Sequence, residues 1–277
     1  MKDLAGKTAV VTGGASGIGA AISRLLARES MRVVVADIEL GKAKQVAAEI
    51  RAQGGEASAV PVDVTSGESC GQLARTSNEL YGDVNLLAAN AGVLMLGTLA
   101  TRTERDWQWV FDVNVFGTVR TVDAFMPQLL SNRGDAHIVI TNSMAGLMAS
   151  APGKGVYNAS KHAQLSYAET LRDELAGEGI AVTLLMPGGT ASAILESERN
   201  RPKERGVGVP LSQKDYEMMQ AHLGETGELV TPEHCIRNLL DGIRNNETWV
   251  MAGSPQRLAI ERRFHKVVEA FDFADRH

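Results

Sequence analysis

The chain has 277 residues, enough for one large domain with a well-filled core. Its formal net charge is −5, with 28 Lys and Arg interspersed among 33 Asp and Glu and no basic block, which argues against a nucleic-acid partner. No apolar run approaches the ~20 residues of a membrane helix, the two cysteines Cys70 and Cys235 form no CxxC pair, and a strand-like run begins too early to leave room for a signal peptide, so the expected location is the cytoplasm.

Seven short, β-branched apolar runs alternate with helix-length amphipathic stretches. The runs are 8–11, 32–36, 59–62, 84–88, 137–141, 181–186 and 248–251, and the helical stretches are 18–28, 41–53, 66–81, 104–130, 156–176 and 232–245. Apolarity without alternation is the mark of a strand buried on both faces, which predicts a parallel sheet with helices on either side. The expectation is a single α/β domain with a doubly wound sheet of about seven strands and right-handed crossovers.

Between run 8–11 and the first helix lies Thr12-Gly13-Gly14-Ala15-Ser16-Gly17-Ile18-Gly19. Glycines let the backbone turn sharply and approach a pyrophosphate, and the helix N-terminus behind them offers free N–H groups to an anion. A Gly-rich turn alone is weak evidence; its place in the first strand–turn–helix unit lifts it. Asp37 ends run 32–36, where a carboxylate accepts hydrogen bonds from an adenosine ribose and repels a 2′-phosphate. No basic residue stands at Ala15 or Ser16, or directly after Asp37, so NAD is expected rather than NADP.

Ser143 follows run 137–141 and therefore lies at the carboxyl end of a strand, the edge at which open α/β sheets bind ligands. Tyr157 and Lys161 sit at i and i+4, on one face of helix 156–176. A lone loop serine or a lone Tyr–Lys pair says little; three such groups converging on the edge that carries the Gly-rich loop say much more. The six histidines show no ligand spacing, so no metal site is expected.

With these motifs in this order the chain resembles the short-chain dehydrogenase/reductase family over nearly its whole length. The resemblance rests on Thr12–Gly19, Asp63, Asn90-Ala91-Gly92, Asn114, Ser143, Tyr157-x-x-x-Lys161 and Pro187-Gly188. It implies a Rossmann-type fold and an NAD-dependent oxidoreductase acting on a CH–OH group. Tyr157 is then the general acid/base, its phenol (pKa about 10 when free) lowered by Lys161 and by the cofactor's positive ring. Ser143 positions the substrate oxygen, and a water-linked proton relay runs from Lys161 through Asn114. The cofactor set implied is Gly13, Ser16, Gly17, Ile18, Gly19, Asp37, Asp63, Val64, Asn90, Ala91, Gly92, Tyr157, Lys161, Pro187, Gly188, Thr190 and Ser192. Asp63 meets the adenine, Asn90 also braces the central strands, and Ser192 offers a hydroxyl to the nicotinamide carboxamide. The chain departs from the family pattern at Ala89, in the spacing from Ser143 to Tyr157, and at Thr190 and Ser192.

Segments expected to face the substrate are 93–95, 146–149 and 188–190, with a lid at about 192–227 carrying a short helix near 215–222 and Met218 and Met219. They are mostly apolar, which points to a hydrophobic or aromatic secondary alcohol and its ketone. The stretch 241–246 and the tail after it are similar to members that oxidise aromatic side-chain alcohols. The resemblance also implies a homodimer or homotetramer built through helices 104–130 and 156–176. A C-terminal extension at about 255–277 is read as a helix docking the stripe Phe264, Val267, Val268 and Phe271. The rival readings are an NADPH-dependent carbonyl or 3-oxoacyl reductase and a non-catalytic dinucleotide-sensing protein.

Overall fold

The computed structural model describes residues 1–148, 152–213, 215–217, 229–252 and 256–274. The first half runs β1 (Thr8–Thr12), α1 (Gly17–Arg28), β2 (Arg32–Asp37), α2 (Leu40–Ala52), β3 (Glu56–Pro61), α3 (Gly67–Tyr81) and β4 (Leu86–Ala89). The second runs α4 (Glu104–Phe111), α5 (Gly117–Ser131), β5 (Ala136–Thr141), α6 (Gly155–Leu175), β6 (Ile180–Met186), α7 (Leu239–Asn245), β7 (Trp249–Met251) and α8 (Arg257–Ala274). All seven strands pair in parallel in the order β3-β2-β1-β4-β5-β6-β7.

The apolar runs are buried because the sheet is covered on both faces. Val10, Val34, Leu87, Ile138 and Leu184 pack on one side and Val11, Val35, Ala88, Val139 and Leu185 on the other. At about 25 cal/mol per Å² of apolar surface removed from water, these strands carry much of the driving force for folding. The chain order reverses between β1 and β4, and the loops leaving their carboxyl ends diverge there to open a crevice.

Four expectations need correction. The third strand lies earlier than run 59–62, at Glu56–Pro61, since Gly54 at φ +84° ends the preceding turn and pairing with β2 starts at once. The stretch 104–130 is helical but not uniform: a π-helical turn, Asp112–Phe116, sits between α4 and α5. The stretch 232–245 is a single turn, Pro232–Cys235, followed by α7. The C-terminal stripe is also not docked in the single chain, for Phe264, Val267, Val268 and Phe271 are all at least half exposed. Polar contacts hold α8 instead: Arg263 Nη1 donates to Leu147 O at 2.7 Å and contacts His162 Nε2 at 2.6 Å. None of the described helices is long and apolar enough to cross a membrane.

His137 on β5 is fully buried, with Nε2 2.9 Å from Thr183 Oγ1. Burial pushes its pKa down to about 3 from the ordinary 6.5. The unfolded chain therefore binds a proton between pH 6.5 and 3 that the folded chain refuses, so this residue's share of stability is intact above 6.5 and is lost as pH falls through that window. His137→Asn is expected to flatten the fall of Tm over that range, as thermal melts at stepped pH will read. An unchanged slope would assign acid sensitivity to other groups.

Candidate active site

A cleft at the carboxyl edge of the sheet is lined by the glycine loop, the ends of β2 to β6, the start of α6 and the segment after β6. The glycine loop is shaped by close approach. Gly13 (φ +63°) and Gly17 (φ +50°) both adopt left-handed backbone, where a side chain is strained. Gly19 packs so tightly that a Cβ there would lie 2.0 Å from Gly13 O. Gly19 therefore serves the turn's packing and does not line the cleft. Ser16 caps α1 in position but not by a side-chain hydrogen bond, so the helix presents its first N–H groups to the cleft.

Asp37 at the end of β2 lines the same cleft. Its Oδ2 accepts from Ala15 N at 3.0 Å and its Oδ1 from Glu39 N at 2.9 Å, so one carboxylate shapes the glycine loop and faces the ribose end. Asp63 caps its own turn, with Oδ1 accepting from Thr65 N at 2.9 Å and Thr65 Oγ1 at 2.7 Å. Asn90 is the brace expected of it: Nδ2 donates to Thr12 O at 3.0 Å and Gly13 O at 3.2 Å, tying β4 to the glycine loop. Val64, Ala91, Gly92, Pro187, Gly188, Thr190 and Ser192 all line the cleft with Ile18. Thr141 Oγ1 is buried at its wall with no hydrogen-bond partner among the described residues. An uncapped helix N-terminus, a close-approach glycine turn, an acidic residue at the β2 end and a buried hydroxyl without a partner fit a dinucleotide.

Ser143, Tyr157 and Lys161 meet deeper in the cleft. Lys161 Nζ donates to Thr141 O at 3.1 Å and Gln164 Oε1 at 2.9 Å, and lies 5.8 Å from the centre of the Tyr157 ring. Burial pushes the Lys161 pKa down to about 7. The Tyr157 phenol is pushed up by burial, against a smaller downward pull from its hydrogen bond with Ser143. The expected lowering was ascribed to Lys161 together with the cofactor's positive ring; in the chain by itself, removal from water dominates at the phenol.

Asn114 is fully buried in the π-helical turn and does not line the cleft. Its Nδ2 donates to Val93 O at 2.9 Å and Ser160 Oγ at 3.0 Å, while its Oδ1 accepts from Val93 N at 2.8 Å. These bonds hold the loop segment that follows Gly92 against α6, which offsets the cost of Asn within a helix. Where a water-linked relay from Lys161 through Asn114 was expected, the side chain of Gln164 stands between Lys161 Nζ and the Asn114 carbonyl.

The described part of segment 192–227 is more ordered than its sequence implied. A bridge between Thr190 and Val230 closes its base, and 3₁₀ turns Ala193–Asn200 and Lys203–Arg205 form its first part. Arg201 Nη2 meets Asp106 Oδ1 at 2.7 Å with both side chains almost fully buried, and Arg205 Nη2 meets Asp112 Oδ2 at 2.8 Å. Arg199 Nη2 reaches Glu39 Oε2 at 2.8 Å, tying the segment after β6 to the β2 end beside Asp37. That pairing holds the Glu39 carboxyl down at about 2.

Of the segments expected to face substrate, Val93, Gly188 and Thr190 line the cleft, while Met95 is buried in the core. Gly146 packs against Asn142 and the Lys161 carbonyl. Met218, Met219, Ala149 and most of the helix expected near 215–222 lie outside the described residues. Trp109, Val113, Ile194, Arg199 and Gln164 were not found from sequence. Gln164 alone left a readable signal, a polar residue one helical turn past Lys161.

A family model described as short chain dehydrogenase matches residues 7–203. Among curated relatives, a 1-deoxy-11-beta-hydroxypentalenate dehydrogenase of Streptomyces exfoliatus is 37% identical over 76% of this chain and 76% of its own length. A C alpha-dehydrogenase of Sphingobium sp. strain SYK-6 is 27% identical over 98% of this chain and 88% of its own. Among solved structures, a short chain dehydrogenase/reductase from Burkholderia phymatum in complex with NAD superposes with a TM-score of 0.89 at 32% identity, covering 98% of this chain and 96% of that one.

Proposed function

Because the chain belongs to the short chain dehydrogenase family, we propose that it is an NAD-dependent enzyme interconverting a hydrophobic or aromatic secondary alcohol and its ketone, with Tyr157 as general acid and base. The observation that carries this reading is the meeting of Ser143, Tyr157 and Lys161 in one cleft with the glycine loop and Asp37.

Glycines 13 and 17, the α1 N-terminus and Asp37 would hold the dinucleotide's phosphates and adenosine ribose, and Thr141, Ser192 and Lys161 its nicotinamide end. Bound there, NAD⁺ supplies the hydride acceptor and a positive charge beside the phenol. Ser143 holds the substrate oxygen within reach of Tyr157, whose phenolate takes the hydroxyl proton in oxidation and whose phenol returns it in reduction. Lys161, held by Thr141 O and Gln164, keeps a donor for the cleft and adds positive charge when protonated.

The carboxylates of Asp37 and Glu39 disfavour a 2′-phosphate, and the two cations beside them, Lys42 and Arg199, are both engaged by Glu39. The NAD complex of the Burkholderia phymatum protein supports the same cofactor. The substrate class draws on the apolar wall of Val93, Trp109, Val113 and Ile194 and on the dehydrogenase names of the relatives. Segment 192–227 acts as the lid over this wall. A homo-oligomer through α4, α5 and α6 accords with the exposed Phe116 at the π-helical turn.

The test is reduction of NAD⁺ followed by absorbance with a panel of secondary alcohols. Aryl and alkyl carbinols are expected to exceed sugars in kcat/KM by at least about tenfold, the effect of a few well-buried apolar groups. A preference for sugars or acyl thioesters would overturn the substrate class.

A further inference from the structure

We propose that Gln164 is a positioning residue that occupies the place of a relay water, bracing Lys161 against the Asn114 carbonyl and closing that side of the site to proton exchange. The proposal rests on the dehydrogenase reading of Tyr157 and Lys161.

Gln164 is fully buried on α6, three residues after Lys161. Its Oε1 accepts from Lys161 Nζ at 2.9 Å and from Asn142 Nδ2 at 3.1 Å. Its Nε2 donates to Asn114 O at 2.9 Å and Thr118 Oγ1 at 2.7 Å. A primary amide offers two acceptor sites and two donors, so every one is used. The amide's orientation follows from its partners: an ammonium only donates, so it must meet the oxygen, and a backbone carbonyl only accepts, so it must meet the NH₂. The Thr118 hydroxyl completes the ring by donating to Asn114 O at 3.0 Å.

The expected link from Lys161 to Asn114 therefore exists, but an amide makes it. Near neutrality an amide neither gives up nor takes on a proton, so the link braces without conducting. Of the three Lys161 protons, two are held by Thr141 O and Gln164 Oε1, which leaves one for the cleft that Lys161 lines. Protons handled by Tyr157 then exchange with solvent through the cleft mouth.

Among the described residues, the groups packed around this pair leave only Tyr157 and Lys161 to titrate. The end of β5 contributes Thr141, Asn142 and Ser143, and the π-helical turn and α5 contribute Asn114 and Thr118, all neutral. On α6 itself, His162 turns away to Asn158 O and Arg263.

The experiment compares the acid limb of the kcat/KM profile for alcohol oxidation in Gln164→Leu and Gln164→Ala. Leucine takes away the acceptor and fills the space. Lys161 is then less often protonated, the phenol harder to ionise, and the limb is expected to move up by about one pH unit. Alanine leaves room for a water that accepts from Lys161 and donates to Asn114 O, and the limb is expected to return to within about 0.3 unit of the parent. A limb unmoved in Gln164→Leu while Tm falls, or equally shifted in both variants, overturns the proposal. A crystal structure of the unmodified protein with NAD⁺ decides the same point without any variant. Gln164 bonded to Lys161 with no water between Lys161 and Asn114 is expected; a water bridge with Gln164 turned aside overturns it. A parent without dehydrogenase turnover would refute the functional reading, and the crystal structure would still decide the brace.

Discussion

Replacing Tyr157 by Phe is expected to lower kcat for alcohol oxidation by about 10³-fold, within the range ascribed to a positioned general acid or base. The change deletes one oxygen from a buried ring on α6 and leaves Lys161 hydrogen-bonded to Thr141 O and Gln164. Fold and cofactor cleft should therefore survive, and NAD⁺ affinity by fluorescence titration should change less than about tenfold, since one neutral hydrogen bond is worth about 0.5–1.5 kcal/mol in such a setting. Turnover unchanged in Tyr157→Phe would remove the phenol from the chemistry. Loss of NAD⁺ affinity comparable to the loss of turnover would make it a cofactor-binding group. The chain by itself pushes the Tyr157 phenol upward through burial, so the base form depends on positive charge near it.

Replacing Asp37 by Asn is expected to reduce the NAD⁺ to NADP⁺ ratio of kcat/KM by about 100-fold, roughly the worth of one or two hydrogen bonds to a charged group. The amide keeps one acceptor oxygen but cannot repeat both bonds now made to Ala15 N and Glu39 N with an oxygen each. Both the shape of the glycine loop and the charge at the ribose end change together. The loop effect should weaken NAD⁺, and the charge effect should admit a 2′-phosphate. Steady-state kinetics with each cofactor separates them. A ratio that stays within about twofold would deny Asp37 its selective role, and Arg199 and Lys42 would then become the residues to examine, as the cations paired with Glu39 at that edge.

The doubly wound sheet and its parallel pairing were legible because strands buried on two faces must be continuously apolar, as in 137–141 and 181–186. The glycine loop, Asp37, Ser143, Tyr157 and Lys161 were legible because each sits at a fixed offset from the end of a strand or along one helix, so local spacing carries their geometry. The docked C-terminal stripe was misjudged because helical periodicity shows that a face is apolar and not whether anything covers it.

What the sequence determined by itself, then, is the layered fold, the position of the site on its edge, and the placing of Ser143 and Lys161 beside Tyr157. Only the tertiary structure decided how those groups are held. It brought Arg199 to Glu39 and Arg201 to Asp106 across about a hundred residues or more, contacts that no local pattern encodes. It also turned Asn114 toward Val93 and Ser160 and set the Gln164 amide between it and Lys161. Hydrogen-bond partners inside a core are chosen by which donors and acceptors packing leaves without water, and that selection is made in three dimensions.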